Sequence, residues 1–393
     1  MKKLLAYCEA NDWAGYDPYD ALNSRLFAAS PILNSRVPRI ALTQLLKRAP
    51  INIRPLVRIP KTQNPKALAL FLAAFTRLSQ IGMDGMAERS EAMVERLKAL
   101  RSAAVSYWCW GYSFPWQTRT RIVPAGSPNL VCTSFVADAL LDAYEANGDS
   151  TCLRIAENAA AYLLDELFWS DGSASGFRYP ARESRVQVYN ANFLGAALLC
   201  RVYRLTGDRR FLEPALTAAR YSASQQQEDG SWHYGDGPTQ RWIDNFHTGY
   251  NLCALQAIGR DADTDEFDPH VRRGLAFYLA HFVRDDGAPR YFHDRTYPID
   301  VHAAAQTIIT LLQLKDLDPD AARVAQDVLR WTMAHMWDER GFFYYRVLRL
   351  LTIRTSYMRW SQAWMLLAMS RALAETASTM RNSHEHLVAR ACA

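Results

Sequence analysis

A chain of 393 residues, 49% hydrophobic and 22% charged, lies in the globular range and can bury a sizeable core. Its net charge of +5 is modest and gathers near the N-terminus, which excludes a broad basic face, so no nucleic acid is expected as a partner. No run approaches the ~18 apolar residues that span a bilayer, the opening MKKLLAYCEANDW breaks off before a secretory apolar core, and seven cysteines without a CxxC pair read as buried free thiols. A cytoplasmic location is therefore expected.

Residues 1–63 read as an N-terminal segment with a partial helix over 21–29. From Arg36 to Lys66 it holds eight Lys or Arg and no acid, interspersed with proline and apolar pairs. This basic stretch is expected to pack on the body that follows. It is also a candidate for peripheral contact with anionic lipid at the inner membrane, or with the diphosphate of a polyprenyl-linked glycan.

From residue 64 the chain becomes periodic. Helices over 64–81 and 89–108 form a first pair. Further amphipathic helices are predicted over 153–168, 210–225, 268–283 and 321–337, each followed by a turn with aromatic alternation: Trp169-Ser-Asp-Gly, Glu228-Asp-Gly-Ser-Trp, Asp285-Asp-Gly-Ala and Asp338-Glu-Arg-Gly. Between them lie helices apolar on nearly all sides, over 134–144, 190–203, 247–258, 302–314 and 361–373. Aligning Phe135, Phe193, Tyr250, Ala305 and Trp364 gives spacings of 58, 57, 55 and 59 residues. A helix without a polar face must be covered all round, so these are inner helices. Hairpins in series with apolar helices inside predict an all-α fold, an (α/α)6-type toroid over 64–375 with short β-hairpins at one end and a tail over 376–393. An open superhelical array is the alternative.

In such a ring the hairpins and the first turns of the inner helices share one end, where a cleft is expected. The substrate-binding set read from those junctions is Trp110, Tyr112, Trp116, Arg119, Asn190, Trp232, His233, Arg241, Arg290, Tyr297, Arg359 and Trp360. Its aromatics suit stacking on sugar rings, and its cations favour an anionic sugar. Two chemistries compete. Glycoside hydrolysis needs two carboxyl groups, and Asp244 and Asp300 stand at nearly equivalent places on successive repeats. Proton abstraction beside a uronic-acid carboxylate, as in an epimerase or lyase, needs a neutral base and an opposing acid, for which His247, His302, Tyr189 and Tyr250 qualify. Asp244, Asp300 and Asn190 also suit simple helix capping. No cofactor is expected, and no metal, since no HxxxH or CxxC pair fixes a ligand set around His233, Asp236, Asp244 and His247.

The stretch from Gln226 to Trp232, Gln-Gln-Glu-Asp-Gly-Ser-Trp, resembles the QxxxGxW repeat of terpenoid cyclases, which are α/α toroids; their DxDD acid motif is absent. Gly15-Tyr-Asp-Pro-Tyr-Asp-Ala-Leu-Asn-Ser24, Asn64-Pro-Lys-Ala-Leu, Trp110-Gly-Tyr-Ser-Phe-Pro-Trp-Gln117 and Asp244-Asn-Phe-His-Thr-Gly-Tyr250 together resemble the VpsJ-like family of exopolysaccharide-biosynthesis proteins. That resemblance implies a role in assembling or tailoring a surface polysaccharide. The run from Asp244 to Leu255 is also similar to the helical domain of glucuronyl C5-epimerases, with Phe246 in place of a tyrosine. The expected function is modification or cleavage of an oligosaccharide or polysaccharide, with a non-catalytic glycan-binding or assembly protein as the alternative and a terpenoid-cyclase-like enzyme as a further one.

Overall fold

The computed structural model describes residues 1–30, 32–117, 122–179 and 186–391. Its helices are α1 (Lys2–Ala10), the single turn α2 (Arg25–Ala28), α3 (Arg36–Arg48), α4 (Pro65–Gln80), α5 (Met86–Ala99), α6 (Leu130–Asn147), α7 (Ser150–Tyr162), α8 (Tyr189–Thr206), α9 (Leu212–Ser224), α10 (Asn245–Ala262), α11 (Asp268–Phe282), α12 (Val301–Gln313), α13 (Ala321–Met336) and α14 (Trp364–Ala391). None of the described helices is long and apolar enough to cross a membrane.

Six of them form a closed inner ring: α4, α6, α8, α10, α12 and α14 pack in that order, and α14 returns to α4. The contrast with the outer layer is steep. In α12, 12 of 13 residues are buried, whereas in α13 only 5 of 16 are, because the inner helix is covered on all sides and the outer one exposes a charged face. Three of the five aligned residues meet. Phe135, Tyr250 and Trp364 lie with ring centroids 5.5–5.6 Å apart, while Phe193 packs outward on Trp232. The (α/α)6 toroid is thus present.

Two of the predicted hairpins become short antiparallel ladders, β3 (Phe168–Ser170) with β4 (Ser175–Phe177), and β6 (Trp337–Asp338) with β7 (Phe342–Phe343). Two further ladders join β1 (Trp116–Gln117) to β2 (Ile122–Val123), and β5 (Ile299–Asp300) to β8 (Arg346–Val347) and β9 (Thr352–Ile353). The other two predicted hairpins are turns. Gly230 has φ +92°, and a Cβ there would stand 2.4 Å from the Arg273 carbonyl oxygen of the next outer helix, so glycine serves both the turn and the close approach. Gly341 repeats the arrangement at φ +98°, but the carbonyl oxygen that a Cβ there would meet, at 2.6 Å, belongs to Lys3.

α1 therefore takes the sixth outer place. Tyr7 packs on Phe342 and donates to Ser356 Oγ at 2.9 Å on one side, and on the other Glu9 and Asp12 pair with Arg89 and Arg96 of α5. Of the sequence segment 1–63, residues 2–10 are thus part of the ring itself. α3 lies outside it, held by Leu42 and Leu46 in a small core with Ala21 and Ile59. Arg54, read as one of the basic stretch, is buried and donates to Asp20 Oδ1 at 2.8 Å. The helix predicted over 89–108 stops at Ala99, and the chain beyond it is irregular up to β1.

Candidate active site

The inner helices run parallel, so their N-termini share one end. There, a cavity of about 840 Å³ receives Lys66 from α4, Val131 from α6, Asn190 from α8, Phe246 and His247 from α10, and His302 from α12. Arg359 and Trp360 enter from the π-helical turn Met358–Ala363 that leads into α14. Each helix N-terminus carries roughly half a positive charge, so six of them bias this cavity toward an anionic guest. The opposite mouth holds a second cavity of about 870 Å³, lined by Arg77, Arg204 and Arg260 from the last turns of α4, α8 and α10 and by Arg201 and Arg371.

Asp244 is the N-cap of α10. Its Oδ1 accepts the His247 backbone N–H at 3.0 Å, and its Oδ2 accepts the Trp242 indole N–H at 3.0 Å and lies 2.7 Å from His247 Nδ1. With Asp244 ionised, Nδ1 carries the proton and the lone pair is placed on Nε2, the arrangement that makes an imidazole a base. His247 keeps 23% of its side-chain surface exposed.

A second histidine is built differently. His302 is 1% exposed and lies between the faces of Phe246 and Trp364, at 4.5 and 4.6 Å. Its Nε2 is 2.7 Å from Tyr250 Oη, and its Nδ1 has no hydrogen-bond partner among the described residues. Burial first, then Lys66, Arg359 and His247, hold its pKa well below the ordinary 6.5, so the ring is neutral. Burial likewise pushes the Tyr250 phenol well above its usual value. Because the unfolded chain protonates His302 near pH 6.5 and the folded chain does not, stability should fall as the pH drops below that value. Urea denaturation at about pH 7.5 and about pH 5.5 should show the loss, and His302→Gln should reduce it.

The cations complete the floor. Lys66 Nζ stands 3.8 Å from the Phe135 ring centroid and 5.2 Å from those of Tyr250 and Trp364. It has no carboxylate partner among the described residues, and burial and then Arg359 hold its pKa well below the usual amine value. Arg359 is gripped by Asp17 through Nε and Nη2, at 2.6 and 2.8 Å, and lies over the Tyr112 ring at 5.2 Å. Asn190 Oδ1 is buried without a hydrogen-bond partner among the described residues, and the N-cap position of α8 is Val188, so Asn190 is not a cap.

Of the residues expected from sequence, the cavity gathers Asp244, His247, Tyr250, His302, Tyr112, Trp116, Asn190, Arg241, Arg359 and Trp360. Asp300 is a correction. It is fully buried, caps α12 through the His302 N–H at 2.9 Å, accepts the Trp360 indole N–H at 2.9 Å and pairs with Arg346, so it cannot face Asp244 across the cleft. Trp110 and Trp232 are core residues whose indoles donate to Leu97 O and Ser222 O. Tyr189 is buried beside the cavity. Arg290 is turned to the His281 carbonyl, and Tyr297 and His233 stand off the lining. Arg119 lies outside the described residues.

Sequence reasoning missed Lys66, Tyr19, Tyr179, Tyr234, Trp242, Tyr291 and His293, all in the lining. For Lys66 a signal was present: it stands two residues past its cap Asn64, as His302 stands two past Asp300.

No family model and no curated protein sequence matches the chain. Solved structures do. An unsaturated glucuronyl hydrolase specific for heparin aligns over 80% of this chain and 87% of its own, at 16% identity and a TM-score of 0.61. Cellobiose 2-epimerase from Bacillus thermoamylovorans aligns over 81% and 90%, at 13% identity and 0.62. A GH76 α-mannanase from Bacteroides thetaiotaomicron aligns over 79% and 86%, at 12% identity and 0.62. The fold is therefore that of α/α-toroid proteins that include sugar-modifying enzymes.

Proposed function

We propose that this chain is an enzyme that modifies an anionic sugar chain by abstracting a proton from the carbon next to a carboxylate. The Asp244–His247 pair, open to a cavity whose floor carries Lys66 and Arg359, is the observation that carries this reading. His247 Nε2 takes the proton and Asp244 stabilises the resulting imidazolium. The electron pair left on carbon passes into the carboxylate, and the cations and helix N-termini offset that charge. Return of a proton to the opposite face of that carbon gives the epimer; loss of the oxygen substituent on the neighbouring carbon gives an unsaturated sugar. The names of the solved neighbours, which include epimerases and a glucuronyl hydrolase, support a carbohydrate substrate.

Hydrolysis is the second reading, favoured by the hydrolases among those neighbours. It is weakened because Asp300 is committed to Arg346 and Trp360, which leaves Asp244 without the acid partner expected for it. In its finer form the proposal places the enzyme in exopolysaccharide biosynthesis, acting on a chain carried by polyprenyl diphosphate. A reducing, cytoplasmic setting fits the burial of five of the six cysteines described.

Incubation with uronate-containing polysaccharide in D₂O separates the chemistries. Deuterium at the carbon beside the carboxylate, or a new unsaturated end, is expected. A new reducing end with neither deuterium on carbon nor an unsaturated end would overturn proton abstraction in favour of hydrolysis.

A further inference from the structure

The outward face of α3 is built the wrong way round for a surface in water. Leu42 and Leu46 bind the helix to the body, yet Val37, Ile40 and Leu45 on the other side are 74%, 41% and 56% exposed. They recur at helical spacing with Ala41, and Arg36 and Arg48 flank them. The chain on either side continues the pattern: Leu26, Ile32, Leu33, Ile51 and Leu56 are also exposed, the last three at 40%, 70% and 76%. Half of the 16 exposed large apolar side chains among the described residues therefore fall within positions 26–56. Scattered exposed apolar residues need no explanation, but a contiguous patch does.

Two more features say what covers it. No Asp or Glu occurs between Asp20 and Asp84, while Arg25, Arg36, Arg48, Arg58 and Lys61 are exposed in or beside the patch, so a negatively charged surface fits and a positive one does not. Ile51 also lines a shallow recess with Thr352 and Arg354, which brings in the tip of the β8–β9 hairpin. That tip is Arg349-Leu350-Leu351, all exposed, with Leu350 at 92%. Apolar side chains with interleaved arginines on a short helix and a loop tip are the makings of shallow insertion among anionic headgroups.

We infer that the α3 face and the 349–351 tip dock this protein on an anionic lipid bilayer. The docked face borders the mouth of the active-site cavity. α3 packs on β1, whose Trp116 lines that mouth, and Lys47 Nζ lies 4.2 Å from the ring centroid of Tyr19, another lining residue. Docking presents the cavity to a glycan anchored in the same membrane. That consequence rests on the proposed function; the docking itself does not.

Flotation of the full chain with phosphatidylglycerol vesicles and with phosphatidylcholine vesicles tests it. The parent should float with the first and not the second, and release as salt is raised. The triple variant Val37→Ser, Ile40→Ser, Leu45→Ser should bind about tenfold or more weakly with an unchanged melting temperature, since the three side chains are exposed. The variant should also keep the parent's activity on a soluble oligosaccharide, whereas His247→Asn should float normally, so failure of docking and failure of the sugar chemistry are read separately. Equal flotation of parent and triple variant would overturn the inference. So would absence of parent binding to phosphatidylglycerol, or sedimentation showing a dimer that the triple variant dissolves, which would assign the face to a second copy of the chain.

Discussion

Replacing His247 by Asn should lower turnover of an anionic sugar chain by about 10²–10⁴-fold, the usual worth of a positioned general base, with little change in folding stability. The ring is partly open to the cavity, bonds to Asp244 and packs on Tyr234 and Phe246, so its loss removes chemistry and only part of the packing, which the asparagine side chain retains in part. Asp244→Asn should act in the same direction while its side-chain oxygen still caps α10, because the amide no longer offers a negative charge to Nδ1. Steady-state kinetics with melting curves on both variants decide the matter. Turnover within about twofold of the parent for His247→Asn would remove the base from the scheme.

Lys66→Met should separate stability from activity. A buried amine ringed by Phe135, Tyr250 and Trp364, without a carboxylate partner among the described residues, opposes folding. An unbranched apolar side chain there should raise stability by about 0.5–2 kcal/mol, as substitutions that relieve a functional strain commonly do. Activity should fall by about 10²–10³-fold, the cost of deleting one group that faces developing negative charge. The pH dependence follows from the sign of the shift. Burial lowers the folded-state pKa below the ordinary 10.5, so between the two values the unfolded chain holds more protons and stability rises with pH. Chemical denaturation at about pH 7 and about pH 9.5 should show that rise in the parent and a smaller one in Lys66→Met. Lower stability with unchanged turnover would make Lys66 a packing residue.

The ring was legible because its period is carried by several independent signals. Apolar inner helices, amphipathic outer ones and an aromatic turn recur together, and each constrains the others. α1 was not legible as a ring member: its nine residues are not followed by such a turn, and its place is set by Gly341 and Phe342, more than 330 residues away. In the site, Asp244 and Asp300 could not be told apart in sequence, since each caps an inner helix through the backbone N–H of a nearby histidine. What separates them is Arg346, which arrives on β8 and takes the second carboxylate. Trp110 and Tyr112 show the same limit. They are two residues apart in an irregular stretch, and one indole turns into the core while the phenol lines the cavity. Lys66 was hidden by its neighbours, because a lysine at the end of a basic run looks solvated until the inner ring closes over it.

Seating α1 between the final hairpin and α5 has a consequence for how the protein is made. During synthesis the first helix leaves the ribosome with Leu4, Leu5 and Cys8 uncovered, and its last partner emerges only after some 330 further residues. Contacts of such sequence separation slow folding and prolong the life of partly assembled states that tend to aggregate. The barrel should therefore close in a late, cooperative step in which α1 meets the β6–β7 hairpin some 330 residues further along the chain.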